Sequence, residues 1–176
     1  MDITNALKDL STDDPERILP AVDFLASSLA EVVDEVVRGL EGPAGYLVYE
    51  RLGRFGSLAI RPLERLLQES MDGEARILAA AAALVLGSTR GLAMLLDALT
   101  TQSPHACVAA SALSRAGRVE ALPVLYATLQ SQELQDTNVI ECMVAAVKHL
   151  GGALPNHVRD RLRTIEPKWM SAGWLD

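Results

Sequence analysis

Aromatic side chains make up only 4% of this 176-residue chain, and Ala and Leu dominate it. Strands draw on β-branched and aromatic residues, so their scarcity points away from sheets and toward an all-α protein. Cysteine is sparser still. Cys107 and Cys142 form no CxxC, which removes the spacing of zinc and dithiol motifs. The two occupy similar places in neighbouring stretches of the chain and could approach each other, but the expected state of both is a buried, reduced thiol acting as a small hydrophobe. Long apolar runs are missing as well. The longest, the ten residues from Ile77 to Leu86, falls short of the about 20 that cross a bilayer. The first residues, MDITNALKDLSTDDPERIL, have neither a basic start nor an uninterrupted apolar core, so they do not read as a signal peptide. A cytoplasmic protein without a membrane segment is the expectation.

Basic residues are also in deficit. Sixteen Lys and Arg stand against 23 Asp and Glu, a net charge of −7. The imbalance is local, because residues 1–50 carry eleven acids against Lys8, Arg17 and Arg38 while the remainder is close to neutral. Nucleic-acid binding needs concentrated positive charge to displace counterions, so that class is disfavoured. A basic protein partner suits the charge better.

The motifs of chemistry are absent too. The sequence contains no GxxxxGK[ST], GxGxxG or GxSxG, which leaves phosphate cradling, dinucleotide binding and a hydrolase elbow without support. His105, His149 and His157 form no HxxxH or HExxH pattern, so a metal or catalytic role is not indicated. GSTRG, from Gly87 to Gly91, reads as an ordinary interhelical turn rather than an anion loop. No catalytic residue, metal ligand, cofactor or small-molecule substrate is assigned.

What the chain does have is repetition. YERLGRFGSLAIRPLERLL, AAALVLGSTRGLAMLLDAL, ASALSRAGRVEALPVLYATL and AAVKHLGGALPNHVRDRL each run from a small-residue helix into a Gly, a short turn and a Leu-rich helix. The anchoring glycines are Gly56, Gly87, Gly117 and Gly151, with periods of 31, 30 and 34 residues. Positions −12, −9, −8, −5, −4 and −1 from each Gly share one helix face and should form the core. In the second unit these are Ala75, Leu78, Ala79, Ala82, Ala83 and Leu86, and in the first unit Arg51 is the clear violation. Asp72, Asp136 and the Ser103-Pro104 pair read as helix starts, and the glycines as turns with positive φ. Partner helices are expected at about Ala59 to Glu69, Gly91 to Thr100, Glu120 to Gln130 and Pro155 to Ile165. Upstream, a short helix near Asp2 to Leu10 and two more at about Pro15 to Ala26 and Leu29 to Leu40 are expected. The last two are separated by a capping box at Ser28 to Glu31, and Pro20 weighs against one continuous helix while leaving a kinked one open.

This pattern resembles the HEAT-like repeats of the phycobilin-lyase type. The resemblance is carried by LGRFG with Pro62-Leu63, LSRAG with Leu122-Pro123, VKHLGG with Pro155, and Glu74 to Arg76. It covers about residues 43–165. It implies a single-domain right-handed α-α superhelix of four to five helix pairs, with residues 1–42 as divergent capping helices and 166–176 as a tail. In that tail Trp169 and Trp174 would cover the last repeat. Similar proteins serve mostly as scaffolds and binding modules, with bilin lyases and DNA glycosylases as enzymatic exceptions. In such stacks the Gly-terminated helix lines the concave side. Positions −2, −6 and −10 would face a partner there: Tyr46, Glu50 and Arg54; Ile77, Ala81 and Val85; Cys107, Ser111 and Arg115; Glu141, Ala145 and His149. The expected function is non-catalytic protein binding, as an inhibitor or immunity protein that masks a toxin or as an adaptor in an assembly. The run Arg51, Arg54, Arg61 and Arg65, interleaved with Glu50 and Glu64, reads as a solvated face, with docking of an acidic partner as its functional alternative.

Overall fold

The computed structural model describes residues 1–176 except 13, 101–104, 132 and 166–176. Every element among the described residues is helical. The α-helices are α1 (Ile3–Asp9), α2 (Pro15–Arg38), α3 (Gly45–Leu52), α4 (Ile60–Glu69) and α5 (Gly73–Val85). They continue with α6 (Leu92–Thr100), α7 (Ala106–Arg115), α8 (Leu122–Gln130), α9 (Thr137–His149) and α10 (Asn156–Leu162). Short 3-10 segments lie at Gly39–Glu41, Gly53–Ala59 and Val119–Ala121.

The ends of these helices follow from local chemistry. Asp72 opens α5 by accepting from the amides of Glu74 and Ala75 at 2.9 and 3.4 Å, and Asp136 opens α9 in the same way through Asn138 and Val139. Each uses its carboxylate to satisfy amides that have no intrahelical acceptor. Helices α5, α7 and α9 end alike. The amide of the residue after the glycine donates to the carbonyl five residues earlier: Ser88 to Ala83, Arg118 to Leu113 and Gly152 to Val147, at 2.8 to 2.9 Å. The glycine amide bonds one turn back, which completes a Schellman motif three times over. Gly87, Gly117 and Gly151 have the positive φ that this closure needs, as does Gly56 in its 3-10 segment. The Ser103-Pro104 start lies outside the described residues.

Upstream the expectation of two helices is corrected. One helix runs from Pro15 to Arg38 with Pro20 inside it, and Ser28 to Glu31 lies in its middle rather than at a start. The apolar positions of α2 continue without a break across Ser28. The local capping signal yields because both sides of it are held as helix, the upstream half by the Asp14 cap and packing on α1 and the downstream half by the core.

Packing is between neighbours and next-but-one neighbours. Helices α3, α5, α7 and α9 touch in succession, as do α6, α8 and α10, while α4 packs on α5 and α6 on both α5 and α7. One contiguous core runs through them, with Leu52, Leu63, Leu78, Leu99, Leu113 and Met143 fully enclosed. Helix α5 is touched by α3, α4, α6 and α7, and Leu78 through Leu84 are all buried. Its alanines permit this, since methyl side chains let helices approach at the short end of the roughly 8 to 10 Å range. In the first unit, Ala44 and Leu47 are exposed along with Arg51, so the expected core face fails at three positions rather than one. Helix α3 stands first in its row, and the side turned away from α5 has no further helix of that row to cover it.

Candidate protein-binding face

Helices α3 and α7 flank α5, and their side chains meet over it. Tyr46, Tyr49, Glu50 and Arg51 of α3, with Ser111 and Arg115 of α7, line an open depression of about 330 Å³. Four of these, Tyr46, Glu50, Ser111 and Arg115, belong to the face expected from the repeat register. Ala81 occupies the matching register on α5, but it is 0% exposed. Its expected place as an accessible groove residue is therefore corrected.

The Arg115 guanidinium stands beside the Tyr49 hydroxyl. Burial raises the Tyr49 pKa above its ordinary 10.0, Arg115 opposes the shift, and Tyr46 and Glu50 add to it. The phenol is thus held protonated at neutral pH and keeps its capacity to donate. Tyr46 and Tyr49 pack as a tilted ring pair with centroids 5.8 Å apart. Arg51, Arg54 and Arg115 form no ion pair among the described residues. The depression therefore presents two guanidiniums without a carboxylate partner, Arg51 and the Tyr49-contacting Arg115, against the one carboxylate of Glu50. Its local charge is opposite in sign to that of the whole chain.

The remaining expected positions are dispersed. Arg54 is exposed in the 3-10 segment after α3, Ile77 and Val85 are half-buried on α5, and Glu141, Ala145 and His149 are exposed on α9. None of these lines the depression. Cys107 is half-buried and joined by a disulfide to Cys142, which corrects the expectation of reduced thiols. The contact of α7 with α9 brings the two Cα atoms to 5.3 Å, inside the span a disulfide bridges. The thiol argument for a cytoplasmic location falls with it. Tyr49 and Arg51 are the lining residues that the register missed. For Arg51 the signal was present, because a charged residue on an otherwise apolar face marks a place where that face leaves the core.

Other polar clusters are engaged internally. Glu64 accepts from the Ser88 hydroxyl at 2.7 Å and pairs with Arg90 at 3.0 Å, which fastens the GSTRG turn to α4. Asp34 pairs with Arg65 at 3.2 Å and ties α2 to the same helix. No group of His, Cys, Asp and Glu suited to a metal occurs among the described residues, and none of their helices is long and apolar enough to cross a membrane. Trp169 and Trp174 lie outside the described residues. Compared with known proteins, the chain matches no family model, no curated protein and no solved structure.

Proposed function

We propose that this chain is a HEAT-like α-superhelix that binds another protein through the face built by α3, α5, α7 and α9, and that its role is binding rather than catalysis. The carrying observation is the depression in which Tyr46, Glu50, Ser111 and Arg115 meet across two helices of that row. The repeated Schellman turns and the neighbour-by-neighbour packing support the repeat reading. Tyrosine and arginine are the residue types that most often anchor protein interfaces. Arg51 and Arg115 fit an acidic group of the partner, because neither guanidinium is paired with a carboxylate among the described residues and a guanidinium recognises one by paired hydrogen bonds. This assigns the face a contact of acidic chemistry, whereas the acidic residues 1–50 remain the part suited to basic contacts. Masking a toxin and joining two subunits of an assembly are the two uses of such a surface consistent with this reading.

Quantitative affinity capture with wild type and with Tyr46→Ala/Arg115→Ala tests it. A protein retained by the wild type should be recovered at least about tenfold less with the double variant, the change expected from losing about 1.4 kcal/mol of binding. Equal recovery with both would overturn the assignment of this face.

A further inference from the structure

The apolar stripe of α2 extends past the point where the core ends. Val33, Val37 and Leu40 are buried in the core. Leu19, Val22, Ala26 and Leu29 continue the same helix face upstream at spacings of three and four residues. There the burial stops, with Leu19 64% exposed and Val22 and Leu29 each 46% exposed. Helix α1 packs on another side of α2, where Ala6 and Ala21 are the buried residues, and both lie outside the main core. The upstream half of α2 thus carries a helix-spaced apolar face that no helix among the described residues buries.

Its border has a definite charge. Glu16 and Asp23, seven residues apart on α2, lie along one edge of the stripe, both exposed and without an ion pair among the described residues. They belong to the segment in which eleven acids face three bases. A second copy docked antiparallel by two-fold symmetry would set one acidic edge against the other. We propose that the Leu19 to Leu29 stripe of α2 docks a basic amphipathic helix of a partner protein, whose apolar residues cover the stripe and whose Lys or Arg residues reach Glu16 and Asp23. This surface is separate from the depression between α3 and α7 and takes a partner group of opposite charge.

The test uses the full chain and two labelled synthetic peptides of about 18 residues, roughly five helical turns, with Leu at spacings of three and four and either Lys or Glu elsewhere. Fluorescence anisotropy should show the Leu/Lys peptide binding at least about tenfold more tightly than the Leu/Glu peptide, with affinity falling as salt rises. Val22→Ser/Leu29→Ser should weaken the Leu/Lys peptide about tenfold or more, and so should Glu16→Lys/Asp23→Lys. The substituted side chains are exposed, so helix content by circular dichroism should hold for both, and the charge variant stands as the test where the apolar one does not fold. Tyr46→Ala/Arg115→Ala should bind the Leu/Lys peptide like the wild type. Equal affinity for the two peptides, equal affinity of the α2 variants and the wild type, or loss of binding in Tyr46→Ala/Arg115→Ala would overturn the proposal. So would a dimer of this chain that Val22→Ser/Leu29→Ser dissociates, since a second copy would then be the occupant.

Discussion

Cys107 on α7 and Cys142 on α9 are joined by a disulfide between adjacent helices of one row, 35 residues apart in sequence. The cross-link limits the unfolded chain more than the folded one, since α7 and α9 already touch in the native packing. Reduction, or Cys107→Ser, should lower stability by about 2 to 4 kcal/mol. Urea denaturation with and without reductant measures this, and thiol titration of the unfolded chain should find free thiols only after reduction. Equal midpoints would show that the bridge adds nothing.

Enlarging the alanines of α5 tests how that helix is enclosed. Ala79→Leu, Ala81→Leu and Ala83→Leu should each cost about 1 to 3 kcal/mol, because all three methyls are 0% exposed and the extra carbons have no space to enter. Ala145→Leu, at the same register as Ala81 but exposed on α9, should change stability by no more than about 0.5 kcal/mol. Denaturant midpoints of the four variants decide it. Tolerance at Ala81 equal to that at Ala145 would return Ala81 to the accessible face.

This contrast marks what was legible in the residues alone. Periodicity found the helix faces and the glycine turns, since both depend on spacing within one helix. It treated the units as equivalent and so placed Ala81, Glu50, Ser111 and Ala145 in one environment. Burial depends on what surrounds each helix: α5 is touched by α3, α4, α6 and α7, and its Ala81 is enclosed, whereas Glu50, Ser111 and Ala145 at the same register are exposed. Tyr49 itself was missed because it falls between the expected core and partner registers, and only the approach of Arg115 from another helix gives it a role.

Gly91 supports a close contact between α5 and the start of α6. A Cβ added there would meet the Ala80 Cβ at 2.5 Å and its Cα at 2.8 Å. Gly91→Ala should therefore destabilise by about 1 to 3 kcal/mol. The double variant with Ala80→Gly should recover part of that loss, because the two positions share one contact. Gly73→Ala is the control. It stands in the first turn of α5 with nothing within 4 Å of the added carbon and should stabilise by about 0.4 to 1 kcal/mol. Thermal unfolding of the set would refute the contact if both Gly→Ala changes had the same sign.

Tyr49 gives the fold a dependence on alkaline pH. Its pKa is raised in the folded chain by burial, with Arg115 opposing, so the folded state holds the phenolic proton more tightly than the unfolded state does. The corresponding stability is present in full below the unfolded value of 10.0 and is lost as pH rises through the higher folded value. Stability measured from pH 9 upward should fall less steeply for Tyr49→Phe than for the wild type. Parallel curves would place the titration elsewhere.

Pro20 tests why α2 is one helix. A proline six residues into a helix removes an amide and crowds the carbonyl of Glu16, a penalty of about 3 kcal/mol in a helix interior. Together with Ser28 it suggested two helices, yet the stripe from Leu19 to Leu40 keeps one face throughout, and its downstream half is held in the core. The upstream half must then persist on propensity, on the Asp14 cap and on its packing with α1. Pro20→Ala should stabilise that half in particular. Hydrogen exchange should slow at amides of residues 16–27 and change little at Val33 to Arg38, whose protection comes from the core. A uniform effect along α2 would mean that the whole helix opens as one unit, and then the upstream stripe is held as firmly as the downstream one.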